Sequence, residues 1–216
     1  MPAVIFDMDG VLTDSEPIIC QSAIAMFAEL GVTAQPEDFL PFVGAGEDKY
    51  VGGVAAQYGV DTPVAELKQR TYELYLEIVP GHLQAFPGVH DLIKSLRANG
   101  YRVAVASSAD RVKVEANLHE IGIPAASFDA VISAEDAEHK KPAPDIFLAA
   151  IAALGVDAGE AVVIEDAVNG VLAAKAAGIA CIGVCQSFPA DRLASADLIL
   201  PGVIDITLDH IKALLA

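Results

Sequence analysis

The chain has 216 residues, 54% of them hydrophobic, enough to bury the core of one large domain or of a domain carrying an insertion. Against 30 acidic residues stand only 13 Lys and Arg, a formal charge of -17. That balance excludes a nucleic-acid backbone as partner, since such binding relies on basic side chains displacing counterions. No apolar run approaches the ~20 residues that span a bilayer, so no membrane segment is expected and the chain reads as a cytoplasmic protein, taken as a monomer. The three cysteines, Cys20, Cys181 and Cys185, lack metal-ligand spacing and point to a reducing compartment, with Cys181 and Cys185 read as buried thiols.

In chain order, the first signal is the apolar run Ala3-Val4-Ile5-Phe6, read as a buried strand, followed by Asp7-Met8-Asp9-Gly10. Side chains two apart on an extended segment point the same way, so Asp7 and Asp9 are expected to converge at the strand end, with Gly10 free to turn sharply. Converging carboxylates repel unless a cation or proton lies between them. A lone Asp-x-Asp-Gly is equally the sequence of a strand ending in an Asp-rich turn.

From Glu16 to Leu83 no buried strand is evident, only amphipathic helical patterns such as Ile18–Leu30 and Val64–Val79. Beyond it, strand-like runs near Val103–Ala106, Ala130–Ser133, Val162–Glu165, Ala180–Val184 and Leu198–Leu200 alternate with helical patterns. These lie near Val89–Asn99, Val112–Ile121, Ile146–Leu154, Val168–Ala176 and Leu208–Leu215. Gly100, Gly122, Gly155 and Gly178 each follow such a helix, as left-handed C-caps do. The alternation predicts an α/β fold, a doubly wound, Rossmann-like parallel sheet covered on both faces, with an inserted all-α domain. The expected division is a core of 1–14 and 84–216 and a helical cap of 15–83, hinged at Thr13–Glu16 and Gly81–Gly88.

Four segments carry a family resemblance. Asp7-Met8-Asp9-Gly10-Val11-Leu12-Thr13-Asp14-Ser15-Glu16 resembles the first motif of the haloacid dehalogenase superfamily, and Val103-Ala104-Val105-Ala106-Ser107-Ser108 the second. Lys141-Pro142-Ala143-Pro144-Asp145-Ile146-Phe147 resembles the lysine-centred third, and Val162-Val163-Ile164-Glu165-Asp166-Ala167-Val168-Asn169-Gly170 the fourth, an acidic pair at a strand end. The order and spread of the four, from residue 7 to residue 170, cover essentially the whole chain. Taken singly, Glu165-Asp166 also suits a helix N-terminus, Ser107 a helix N-cap, and Lys140-Lys141 a solvated surface.

The resemblance implies a phosphatase of the β-phosphoglucomutase-like branch acting on a small phosphorylated metabolite. Asp7 is then the nucleophile that forms an aspartyl-phosphate, and Asp9 the acid and base. Ser107 donates to a phosphate oxygen and Lys141 holds the transferring group. A hard cation, Mg2+, is implied on Asp7, the main-chain carbonyl of Asp9, and Asp166, with Glu165 in support. The alternatives are a sugar-phosphate mutase and a catalytically weak regulatory or binding domain. Against the mutase, Ile19 stands where that enzyme has a histidine, and Phe42-Val43-Gly44-Ala45-Gly46-Glu47-Asp48-Lys49 lacks its cap arginine, with Lys49 and Arg70 read as surface residues. Phe42–Glu47 and Ala106–Arg111 also resemble the dehalogenase-type domain of chloroplast suppressor-of-quenching proteins, which implies the chloroplast stroma if the chain is a piece of such a protein.

Overall fold

The run after Pro2 forms strand β1 (Ala3–Phe6), all four residues buried, because it occupies the middle of the sheet. The computed structural model describes residues 1–44 and 46–215; Ala45, inside the expected Phe42–Glu47 segment, lies outside the described residues. Strands β2 (Arg102–Ala106), β3 (Ala130–Ile132), β4 (Ala161–Glu165), β5 (Ala180–Val184) and β6 (Leu198–Leu200) complete a parallel sheet of order β3-β2-β1-β4-β5-β6. The chain thus has the expected doubly wound α/β fold.

Alternation along the central strands splits the core in two. Val4, Phe6, Val103, Val105, Val162 and Ile164 enter one cluster. Ala3, Ile5, Ala104, Ala106, Ala161 and Val163 enter the other, on the opposite face. Continuous apolar runs are therefore what these strands require.

Nine α-helices lie among the described residues. Between β1 and β2 run α1 (Glu16–Glu29), α2 (Pro36–Phe39), α3 (Glu47–Tyr58), α4 (Val64–Ile78) and α5 (Val89–Ala98). After β2 come α6 (Arg111–Glu120), α7 (Asp145–Leu154), α8 (Val168–Ala176) and α9 (Leu208–Leu214). The four glycines expected to end helices all have positive φ.

Helices α1–α4 form the insertion, packed around Phe27, Phe39 and Tyr50, with ring centroids 6.1 Å apart for Phe27–Phe39 and 4.9 Å for Phe39–Tyr50. The sequence pattern did not announce α3. Its Gly52 and Gly53 lower helix propensity, yet a Cβ at Gly53 would overlap the ring of Phe42, so packing requires what propensity disfavours. The two chain crossings run side by side: Thr13 bridges Ala85, and its hydroxyl donates to the Gln84 carbonyl at 2.7 Å.

Polar links between insertion and core include Lys68–Asp110 at 2.8 Å, Lys140–Asp48 at 3.3 Å, Lys113–Glu47 at 3.4 Å, and the buried Tyr75 hydroxyl donating to Asn117 Oδ1 at 2.5 Å. Cys181 is buried as expected, whereas Cys185, at the end of β5, is only partly buried; all three cysteines are free. No described helix is long and apolar enough to cross a membrane.

Candidate active site

Asp7, Asp9, Ser107, Glu165 and Asp166 lie at or just past the carboxyl ends of strands, at the point where the strand order reverses from β1–β2 to β1–β4. In open α/β sheets that crevice is where ligands bind. Asp7 follows β1, and its N–H donates to Ile164 O at 3.0 Å, continuing the ladder. Ser107 follows β2 and donates its N–H to Ile132 O at 3.0 Å, while its hydroxyl accepts from Ala109 N at 3.2 Å. Glu165 closes β4 and Asp166 begins the turn into α8. Lys141 arrives from the β3–α7 loop, before a cis bond to Pro142.

The lysine is buried and doubly engaged. Its Nζ lies 2.5 Å from Asp7 Oδ1 and 2.6 Å from Glu165 Oε1. Glu165 in turn accepts the N–H groups of Asp166 and Ala167 on Oε2, each at 3.0 Å. A Cβ at Gly170 would fall on the Glu165 carboxylate, so only glycine fits at that place in α8.

Asp7, Glu165 and Asp166 are all buried, and each offers an oxygen within 4.8 Å of the others. Burial pushes the Asp7 carboxyl up to about 7, with Lys141 opposing and Glu165 and Asp9 adding to the rise. Burial likewise lifts Asp166 well above the usual carboxylate range, and Glu165 and Asp7 lift it further. Three buried carboxylates served by one ammonium group are short of positive charge. An all-oxygen donor set of this kind fits a hard divalent cation. At Gly10, φ is +82° and a Cβ would overlap the Asp166 carboxylate, which explains a glycine where the chain turns after Asp9.

Asp9 departs from simple convergence on Asp7. Its Oδ1 accepts from the Ser15 hydroxyl and its Oδ2 from Lys113 Nζ at 3.0 Å, so its carboxylate faces the insertion rather than the Asp7–Glu165–Asp166 cluster. Lys113 is one residue that sequence reasoning missed. It is 2% exposed and bridges Asp9 to Glu47 Oε1. Burial alone would lower its pKa, but Asp9, Glu47 and Glu16 hold it well above the usual value. A signal existed: Lys113, Val114, Asn117 and Leu118 share the buried face of α6, so a charge sat on an apolar stripe.

The cavity between insertion and core, about 300 Å³, holds Asp7, Asp9, Ser107 and Lys141 on the core side and Glu16, Ile19, Glu47 and Tyr50 on the other. Loss of water pushes the Glu16 carboxyl up to about 7; Lys113 opposes, and Asp9 and Glu47 add.

A fold of this order with acidic strand ends around a buried lysine defines a doubly wound α/β hydrolase. Residues 1–178 match the family model for haloacid dehalogenase-like hydrolases, and the chain belongs to that family. It is 49% identical over 187 residues to Protein SUPPRESSOR OF QUENCHING 1, chloroplastic, of Arabidopsis thaliana, covering 84% of this chain but only 18% of that protein's length. Hexitol phosphatase B of Escherichia coli K12 is 33% identical over 211 residues, covering 95% of this chain and 94% of that enzyme. The crystal structure of CbbY from Rhodobacter sphaeroides in complex with phosphate superposes with a TM-score of 0.90 at 28% identity, over 98% of this chain and all of that one.

Proposed function

We propose that the protein is a Mg2+-dependent phosphatase that hydrolyses a small phosphorylated metabolite through an aspartyl-phosphate on Asp7. The observation that carries this reading is the Asp7–Lys141–Glu165 cluster beside Asp166, with Ser107 across the same cavity. Phosphatases among the relatives support it.

Asp7, Asp166 and the main chain of Asp9 would hold the cation, with Glu165 beside them. When bound, the cation supplies the positive charge that lets a phosphate dianion approach a carboxylate. Asp7 attacks phosphorus in line, the bond to the leaving oxygen breaks, and Asp9 delivers a proton to that oxygen. Asp9 then takes a proton from the water that attacks the aspartyl-phosphate, freeing inorganic phosphate and restoring Asp7. Lys141 and the Ser107 hydroxyl hold the equatorial oxygens, preorganised donors that need not reorient as charge shifts. The cap, residues 15–83, excludes bulk water through the links to Lys113 and Asn117.

The test is phosphate release from a panel of phosphorylated metabolites and an aryl phosphate, with and without Mg2+, beside Asp7→Asn. Mg2+-dependent release that falls at least about 10³-fold in Asp7→Asn is expected, the scale of removing a nucleophile. Release unaffected by either change would refute the reading.

A further inference from the structure

The end of the sheet opposite Asp7 carries a second cleft, of about 500 Å³, whose lining includes Arg97, Tyr101, Arg102, Asp129 and Leu154. It lies beside the last turns of α5 and α7, where β2 begins. Strand β2 runs from Arg102 toward Ser107, and at ~3.3 Å per residue about 16 Å separates the cleft from the catalytic end. Only 13 Lys and Arg serve a chain of formal charge -17, yet two of them meet here against one carboxylate. The catalytic cavity has instead an excess of carboxylates.

Both guanidinium groups are held at one nitrogen and left open along the same edge. Arg97 Nη1 donates to the Ser127 carbonyl at 2.9 Å and to Asp129 Oδ2 at 3.3 Å, an oxygen that also accepts the Val103 N–H at 2.8 Å. Arg102 Nη1 donates to the Leu154 carbonyl, and Arg102 has no carboxylate partner among the described residues. Nε and Nη2 of each arginine make no hydrogen bond with the described residues. That edge grips an oxyanion through two parallel bonds. Arg70 shows the filled form, holding Glu29 through Nε at 2.9 Å and Nη2 at 2.8 Å. Tyr101 supplies a second observation: the residue is only 8% exposed and lines the cleft. Its hydroxyl is reachable from solvent yet makes no hydrogen bond with the described residues.

We propose that Arg97, Arg102 and Tyr101 form a binding site for a phosphate-type oxyanion, separate from the catalytic cavity. Two guanidinium edges and a hydroxyl offer more donors than the two oxygens of a carboxylate satisfy, whereas the terminal oxygens of a phosphate accept from all of them. Asp129 engages Nη1 of Arg97 and leaves the open edge free. The ligand is free inorganic phosphate or the phosphate group of a larger metabolite. Its residues lie at the start of β2, away from Asp7 and Asp166, so the site needs no Mg2+ and does not depend on the phosphatase reading.

The experiment titrates the isotopically labelled full chain with inorganic phosphate, glucose 6-phosphate and acetate, at fixed ionic strength and in excess EDTA, and follows the backbone amide resonances. Phosphate should produce saturable shifts at residues 100–103 with a dissociation constant of about 1 mM or below, and acetate should bind at least about tenfold more weakly. Equal affinities for phosphate and glucose 6-phosphate identify the phosphate group alone as the ligand, and tighter glucose 6-phosphate identifies a carrier; the proposal holds in both cases. Arg97→Gln and Arg102→Gln should each weaken binding at least about tenfold, and Tyr101→Phe about threefold. Arg97 sits on an exposed helix surface, so its variant keeps the fold and tests the site even if Arg102→Gln, which loses the bond to Leu154, unfolds. The proposal is overturned by the absence of saturable shifts, by acetate binding as tightly as phosphate, by a folded arginine variant that binds like the wild type, or by shifts confined to residues 7–10 and 107–109.

Discussion

Replacing Lys113 by methionine tests the buried bridge between Asp9 and the insertion. Methionine keeps most of the stem's packing and removes only the charge. It leaves the partly buried Asp9 Oδ2 and the buried Glu47 Oε1, now 3.0 and 3.4 Å from Nζ, with no cation between them. Breaking a buried pair by removing one partner costs about 3–5 kcal/mol. That is a large share of the 5–15 kcal/mol typical of a folded protein. At roughly 2–4 °C per kcal/mol for a chain of this size, the melting temperature should fall by about 6–20 °C.

The sign with pH follows from the raised pKa of Lys113. Its stabilisation is fully present below the unfolded value of about 10.4 and is lost only as pH rises through the still higher folded value, so it is constant across neutral pH. Adding Glu47→Gln should return about 1–3 kcal/mol, a coupling expected of residues in contact. Urea denaturation of the wild type, both single variants and the double variant measures it. A Lys113→Met loss below about 1 kcal/mol, or additivity within about 0.5 kcal/mol, would refute the bridge as a stabilising element.

Burial that raises Asp7 from 3.8 to about 7 implies a metal-free stability term present below pH 3.8 and lost as pH rises through about 7. Relative to Asp7→Asn, the wild type should therefore lose on the order of 4 kcal/mol between about pH 4 and 8 without Mg2+, read by urea denaturation; a flat difference counts against the shift. At pH 8, Mg2+ at about 100 times its dissociation constant should return about 2.7 kcal/mol. Gly10→Ala should displace the Asp166 carboxylate and strain the turn, costing about 1–2 kcal/mol of stability and about tenfold in Mg2+ affinity by calorimetry. Tyr75→Phe removes the hydroxyl that donates to Asn117 Oδ1, in a side chain whose Nδ2 has no partner among the described residues, and should cost about 1–3 kcal/mol by thermal melting.

The strands were readable because their signal is local. A parallel strand buried on both faces must be apolar throughout, and Val4–Phe6 and Val162–Ile164 are. Asp7, Ser107, Lys141 and the Glu165-Asp166 pair stood out because each sits at the end of such a run or in a motif of fixed order. Helix α3 escaped notice because its reason for existing, the packing of Gly53 under Phe42, lies between segments rather than within one.

By itself, then, the sequence determined the doubly wound sheet, the inserted helices and the acidic strand ends, since hydrophobic periodicity and strand-end chemistry are properties of neighbouring residues. Only the tertiary structure decided that Asp9 turns to Ser15 and Lys113, that Glu47 reaches the same lysine from the insertion, and that the far wall of the cavity is acidic. Asp9 in the turn after β1, Glu47 on α3 and Lys113 on α6 are brought together by the packing of the insertion on the core. A buried charge reveals its purpose only beside the partner that neutralises it.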